Sequence, residues 1–554
     1  MRVNTTAQLF AETIRGHGIT HLFMVPAVFH TAMAAMEELG IRRVTTHHEV
    51  AAAYMADGYA RASRKPGICM AQSVGAANVA AGLRDAFLSG SPVIAVTGGP
   101  HPDSRYRYLY QVIEDFPMFE PVTKFNARVD KPSRLADLLR QAFRVATTGS
   151  PGPVHLELPG RLGEGVNGEG DFEVIVEKQH SRYPAYRLEP EAEAVRQAAS
   201  ALVAAERPVI VAGGGVVASE AGAELVKLAE MLAIPVATSP TGKGSIPEDH
   251  PLAIGLVGSY GRWSANRIVE QADLVFFVGS RTGGLTTRNW ATPPAGTPVI
   301  QLDIEPSEIG RNYPVQVGLL GDARVTLRRL MAEIQPLGKH SSAWAERAQG
   351  LLSQWRSEMA PLLGSDAVPI RPERLCREIT DFLPEEGVVV ADTGHAAIWS
   401  GTMIELKRPG QRFIRCAGTL GWSFPASLGV KCALPDKPVL CFTGDGGFYY
   451  HMGELETAAR FGINTVVVVN NNGALQQVKK GFDRAYGGEQ RGRAHEMWVF
   501  EEQNLATVAR DMGWLGIRVE RPEQIGPALE EAFAAGKPAL LDVVTDLEAQ
   551  PQWW

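Results

Sequence analysis

Cysteine is scarce and unpatterned. The 554 residues hold five, Cys69, Cys376, Cys416, Cys432 and Cys441. The set is odd and scattered, with no Cys-x-x-Cys pair, so neither a disulfide framework nor a zinc site is implied and a reducing cytoplasm is the expected setting. No apolar run reaches the ~20 residues of a membrane span, and Met1 to Ile14 lacks the basic-then-apolar order of a secretory leader, so a soluble cytosolic protein is expected. Long blocks of like charge are missing and the net charge is −7, which gives no footing for nucleic acid or an anionic membrane surface as partner. No short-period repeat is present, which excludes solenoids and propellers. No Gly-x-Gly-x-x-Gly opens a helix, which removes the main sign of a nucleotide-binding dehydrogenase.

What is there is globular and modular. A chain this long exceeds one hydrophobic core, and three segments alternate helical spacing with short apolar strands. The first, 1–165, has strands expected at His21 to Val25, Gly67 to Gln72 and Pro92 to Thr97, and closes on a proline-fenced strand, Pro153 to Pro159. Residues 161–187, with glycines, charges and little periodicity, read as a linker. The second segment, 188–335, has strands at Pro208 to Ala212, Asp273 to Val278 and Pro298 to Ile304. A polar helical connector near 336–368 leads to the last, 369–554. The expected fold class is α/β, with three doubly wound parallel-sheet domains.

The most informative stretch is 443–474. The apolar run Val439 to Phe442 reads as a buried strand, followed by Thr443-Gly444-Asp445-Gly446-Gly447. Met452 to Phe461 has helical spacing, and the β-branched run Thr465 to Val469 leads into Asn470-Asn471-Asn472-Gly473-Ala474. This is a β-α-β unit with Asp445 and the asparagines at strand carboxyl ends, where ligands collect in open parallel sheets. A hard cation such as Mg2+ takes oxygen ligands and shares its shell with phosphates. One carboxylate, one carboxamide and one carbonyl suit it, while amides at Gly446 and Gly447 are offered to phosphate oxygens. Gly-Asp-Gly alone is more often only a turn; the asparagine cluster after one helix and one strand is what makes it a cradle.

With that spacing the segment resembles the signature of the thiamine-diphosphate (ThDP) enzymes, in their acetolactate synthase-like branch. Carried over by ungapped spacing, the resemblance implies metal ligation by Asp445, Asn472 and the carbonyl of Ala474, with Asn471 the alternative should the register slip. Further blocks carry it across nearly the whole chain. His47-His48-Glu49-Val50 looks like the family's histidine-glutamate segment opening a helix; Gln72-Ser73-Val74-Gly75-Ala76-Ala77-Asn78 and Asp85 to Gly99 follow in family order. The resemblance makes Glu49 the catalytic carboxyl that hydrogen-bonds the pyrimidine nitrogen of ThDP, with Ser73 and Asn78 nearby. Without it, Glu49 would read as a first-turn acid favoured by the helix dipole. Ala417-Gly418-Thr419-Leu420-Gly421-Trp422 resembles the segment that bends the cofactor, Leu420 the wedge and the Gly418 carbonyl an acceptor for its 4′-amino group. Asp392-Thr393-Gly394-His395-Ala396 resembles the loop over the diphosphate.

The resemblance implies that the first and last domains share the ThDP-binding fold, one for the pyrimidine and one for the diphosphate. The central domain is a site for FAD or another nucleotide, or a vestige, with Gly213 to Gly215 and Arg281 as candidates; FAD is left undecided. Because the family joins two subunits at each site, a homodimer or homotetramer follows. The implied reaction is ThDP- and Mg2+-dependent decarboxylation of a small-molecule 2-oxo acid, with protonation of the product or carboligation to a second carbonyl. Alternatives are a lyase acting on a 2-hydroxy ketone, as in benzaldehyde lyase, or on a 2-hydroxyacyl- or oxalyl-CoA, and a cofactor-binding regulatory paralogue without activity. The tail from Gln550 to Trp554 lacks the basic residues a coenzyme-A thioester calls for, and the presence of Glu49 argues against the silent paralogue. Candidate pocket residues are Ala27, Val28, Gln111 and His48. Other nearby histidines (His30, His101, His451) are expected in surface or core roles.

Overall fold

The computed structural model describes residues 1–335 and 343–551; part of the expected connector and Gln552 to Trp554 of the tail lie outside them. Three six-stranded parallel sheets organise the chain. In the first, the spatial order is Arg42–Thr45, His21–Met24, Gly67–Ala71, Val93–Gly99, Val154–Pro159, Phe125–Arg128. In the last it is Arg412–Arg415, Val388–Ala391, Val439–Gly444, Val466–Asn471, Ala539–Val544, Leu515–Val519. Numbered within each domain, both read 2-1-3-4-6-5, so the two share a topology. The central sheet runs Ala253–Leu256, Val236–Thr238, Pro208–Ala212, Leu274–Val278, Val299–Asp303, Val317–Leu320. That is the 3-2-1-4-5-6 order of dinucleotide-binding sheets, whose crevice lies where the order reverses.

The central strands of each sheet are buried along their length, as their β-branched, non-alternating sequences require of parallel strands covered on both faces. Between Val439–Gly444 and Val466–Asn471 the helix expected at Met452 to Phe461 forms as Glu454–Phe461, preceded by a four-residue helix, Asp445–Phe448, and a 3-10 turn at Tyr449–His451. The segment read as a linker is not featureless. Glu169–Glu173 pairs antiparallel with Arg2–Thr5. Its sequence, Glu-Gly-Asp-Phe-Glu, hides this because an exposed two-stranded ribbon needs no apolar face.

The first and last domains share one hydrophobic cluster, with Ala52, Met55 and Ala56 in the same core as Phe424 and Leu428. Between the central and last domains the cement is polar. Glu248, buried and ion-paired with Lys243 of its own domain, accepts from the Leu406 amide at 2.9 Å, Arg262 donates to the Thr402 carbonyl at 2.9 and 3.1 Å, and its guanidinium lies 4.3 Å from the Trp355 ring centre. All five cysteines are buried and free. Among the described residues no helix is long and apolar enough to cross a membrane.

Candidate active site

Asp445 follows the strand Val439–Gly444 and opens a four-residue helix, beside the point where the sheet order reverses. It is 2% exposed. Its Oδ2 has no hydrogen-bond partner. Burial pushes its carboxyl up to about 7, against the amides of Gly446, Asp445 and Ala474, which favour the anion. The next strand aligns Asn470 with Gly444, and Asn470 Oδ1 is also buried without a partner. Orphaned oxygens this deep are costly, and a divalent cation with oxygen preference fits them.

The two candidate asparagines differ. Asn471 is engaged at both ends of its carboxamide: Nδ2 donates to Asp542 at 2.8 Å and Oδ1 accepts from the Gly473 amide at 3.2 Å. Asn472 donates through Nδ2 to Gln476 Oε1 at 2.9 Å, and its oxygen has no partner among the described residues. The same Gln476 Oε1 lies 2.9 Å from His395 Nδ1, so one glutamine ties Asn472 to the His395 loop. Sequence reasoning missed Gln476; the signal was its place two residues beyond Ala474.

Around these side chains the backbone comes close. A Cβ on Gly446 would fall 2.5 Å from Leu475, and one on Gly447 3.2 Å from Asp392. Gly394 has φ 69, a conformation that suits glycine. Asp392, completely enclosed, accepts from the amides of Gly421 (3.0 Å) and Ser423 (2.9 Å) and from Ser423 Oγ (2.6 Å), tying down the end of the loop that carries Gly418 and Leu420. Gly418 is exposed and Leu420 half-buried. Among the described residues no group of three or more His, Cys, Asp or Glu side chains could hold a metal, and a site of one carboxylate, one carboxamide and one carbonyl contains no such group.

The second cluster lies in the first domain. Glu49 is the first residue of the helix Glu49–Ser63, capped by His48, whose Nδ1 accepts from the Val50 amide at 3.1 Å. Glu49 Oε2 accepts from Asn78 Nδ2 at 3.0 Å, and a Cβ on Gly75 would sit 2.6 Å from Oε1. Ser73 Oγ donates to the Gln111 carbonyl at 3.0 Å, and Arg161 Nη1 donates to Gln111 Oε1 at 2.6 Å. Glu49 and Asn78, and Ser73 and Gln111, are thus joined in pairs. Ala27 has φ 75, while Val28 belongs to the buried core. His451, buried, places its ring 5.5 Å from Tyr54 and 5.9 Å from His48. His30 is exposed, and His101 caps the turn Pro102–Ser104.

Within the chain, no hydrogen bond or ion pair among the described residues joins Glu49 to Asp445, Asn472, Gly418 or Leu420. Glu49 is half-buried, rather than enclosed as a proton-exchanging acid should be.

A third feature is a cleft of about 360 Å3 where the first, central and last domains meet. Gly214, Gly215 and Arg281 line it, with Arg61, Arg64 and Arg415. It sits at the order reversal of the central sheet. Arg281 spans it, donating to the Leu88 carbonyl at 3.0 Å and to Ser150 Oγ at 2.9 Å.

Comparison with known proteins places all three domains. Residues 4–118 match the thiamine pyrophosphate enzyme N-terminal TPP binding domain, 195–330 the central domain and 392–543 the C-terminal TPP binding domain. A probable acetolactate synthase large subunit of Methanocaldococcus jannaschii is 34% identical over 98% of this chain and 93% of its own length. The acetolactate synthase large subunit of Haemophilus influenzae is 28% identical over 99% and 95%, and the isozyme 3 large subunit of Escherichia coli 28% over 96% and 93%. Two parallel sheets of one topology flanking a third, matched domain by domain and along nearly the full length, establish that the chain belongs to the thiamine pyrophosphate enzymes.

Proposed function

We propose that this chain is an acetolactate synthase-like carboligase: with ThDP and Mg2+ it decarboxylates a 2-oxo acid and joins the remaining fragment to a second carbonyl compound. The observation that carries the reading is the buried, unpartnered Asp445 Oδ2 at the end of one strand, with Asn472, whose carboxamide oxygen accepts no hydrogen bond among the described residues, just past the end of the neighbouring strand. In this reading Asp445, Asn472 and the Ala474 carbonyl hold Mg2+. Gly394, His395 and the amides of Gly446 and Gly447 receive the diphosphate. Bound there, ThDP would supply a nucleophilic carbon and an electron sink for the bonding pair that CO2 leaves behind.

The remaining work belongs to side chains. Glu49 exchanges a proton with the pyrimidine nitrogen, and Asn78, donating to Oε2, fixes which way its carboxyl faces. Leu420 fills the bend of the cofactor and the Gly418 carbonyl accepts from its amino group. Ala27, Gln111 and His48 border the substrate, Gln111 held in place by Arg161 and Ser73, while Val28 supports them from the core. A second subunit brings its own Glu49 to this chain's Asp445, so a homodimer is the smallest active unit. Buried free thiols suit the cytoplasm.

The cleft at the reversal of the central sheet is of a size and cationic lining that suit a nucleotide, FAD among them; a visible spectrum of the purified protein decides for or against flavin. The main test is incubation with ThDP, Mg2+ and a panel of 2-oxo acids and 2-hydroxy ketones, with products read by mass. Release of carbon dioxide with a new carbon–carbon bond supports the proposal. Turnover of 2-hydroxy ketones alone transfers it to the lyase reading, and no turnover despite bound cofactor overturns it.

A further inference from the structure

The loop that carries Gly418 and Leu420 is anchored from another domain of the same chain. Asp85, on the helix Ala76–Ser89, is 0% exposed. Its Oδ1 accepts from the Ala417 amide at 2.8 Å. Its Oδ2 accepts from the amides of Gly418 at 3.3 Å and Thr419 at 3.2 Å. Arg61 Nη2 lies 3.3 Å from Oδ1. Arg61 is in turn gripped by Asp57 at 2.8 and 2.7 Å, donates to the Arg415 carbonyl at 2.6 Å and lies 4.7 Å from the Trp422 ring centre. Trp422 Nε1 closes the network on Asp57 at 3.0 Å.

A trans peptide is planar, with its N–H and C=O pointing in opposite directions. The Thr419 N–H aimed at Asp85 therefore sends the Gly418 carbonyl the other way. Gly418 is exposed, and its carbonyl has no partner among the described residues. A carboxylate on the N–H side also polarises the peptide, which strengthens the carbonyl as an acceptor.

We propose that Asp85 is a positioning residue: by holding three consecutive amides it fixes and polarises the Gly418 carbonyl as the acceptor for the exocyclic amino group of an aminopyrimidine. This rests on the reading that ThDP binds at this loop. Asp57 provides the contrast, because it is equally buried in the same network yet touches none of the three amides.

The test compares Asp85→Asn with Asp57→Asn in the full-length protein. Calorimetry reads the affinity for ThDP with Mg2+, and proton NMR reads deuterium exchange at the reactive carbon of the bound cofactor. Steady-state kinetics separate kcat from KM. For Asp85→Asn the expected result is exchange and kcat lowered together, by about 10- to 100-fold as for other outer-shell partners, with KM for the 2-oxo acid unchanged. Asp57→Asn is expected to keep the exchange rate while losing thermal stability. Wild-type exchange in Asp85→Asn, or an equal loss in both variants, overturns the proposal. Should Asp85→Asn fail to fold, hydrogen exchange of the cofactor-free wild type decides: slow amides at 417–419 support the anchor and fast ones overturn it. A wild type that binds no ThDP in the calorimeter defeats the cofactor reading itself, a result separate from any of these.

Discussion

Gly58 and Gly429 stand where helices from two domains cross with their backbones in contact. A Cβ on Gly58 would fall 2.1 Å from the Ala426 carbonyl oxygen, and one on Gly429 1.9 Å from that of Met55. Neither neighbour is a side chain that can turn aside. Gly429→Ala is expected to destabilise by about 1–3 kcal/mol or more, the range of core overpacking. Gly350→Ala, in the helix Ala343–Leu363 with nothing near its Cβ position, is expected to stabilise by roughly 0.5–1 kcal/mol through the smaller backbone entropy of alanine. Thermal unfolding of the two variants checks both signs.

Glu49→Gln keeps the shape of the side chain and its contact with Asn78 while removing the exchangeable acid. Turnover is expected to fall by about 100-fold or more, the worth of a positioned acid–base group, with ThDP retained. Calorimetry and a product assay on the same preparation test it, and unchanged turnover would defeat the role given to Glu49.

Asp445→Ala removes the buried carboxylate and its orphaned oxygen together. Binding of Mg2+ and ThDP should be lost jointly, while the folded cofactor-free protein should gain stability or stay level, because an unpartnered buried polar oxygen has gone. Equilibrium dialysis and thermal unfolding without ligand give the two halves of this result.

His155 carries a pH dependence unrelated to the site. It is wholly buried, stacked on Phe119 with ring centres 3.5 Å apart, between Thr97 at 2.8 Å and Asn126 at 2.7 Å. Burial, with Arg128 nearby, pushes its pKa down to about 3 from an ordinary 6.5. The unfolded chain accepts a proton that the folded chain refuses. The stability His155 lends is therefore complete above about pH 6.5 and is lost as pH falls toward 3, at about 1.4 kcal/mol per unit. His155→Gln should flatten the fall of Tm between about pH 6 and 4 by close to one proton's worth; an unaltered slope would refute it.

Much of the fold and of the site is legible in the amino-acid order alone. The runs Val439 to Phe442 and Thr465 to Val469 announce strands because parallel strands buried on both faces admit little but β-branched and apolar residues. The shared topology of first and last domains follows from the family resemblance. Other features are hidden for physical reasons. Glu169–Glu173 lies at an exposed edge and carries no apolar alternation. Asn471 and Asn472 are the same residue type side by side, and only their hydrogen bonds separate them. Asp85 meets backbone amides more than three hundred positions away, and every residue type presents an amide except proline, so no side-chain pattern could reveal the partner.

The crossing at Gly58 and Gly429 also dictates an order of events during synthesis. The first sheet has all six of its strands once Val154–Pro159 has left the ribosome, and the ribbon of Arg2–Thr5 with Glu169–Glu173 closes soon after, in keeping with domains folding as units from the amino end. The side of Glu49–Ser63 that bears Asp57, Gly58 and Arg61 then has no cover until residues 415–433 emerge. Throughout that interval Met55, Gly58 and the Asp57–Arg61 pair await their partners Gly429, Ala426 and Trp422.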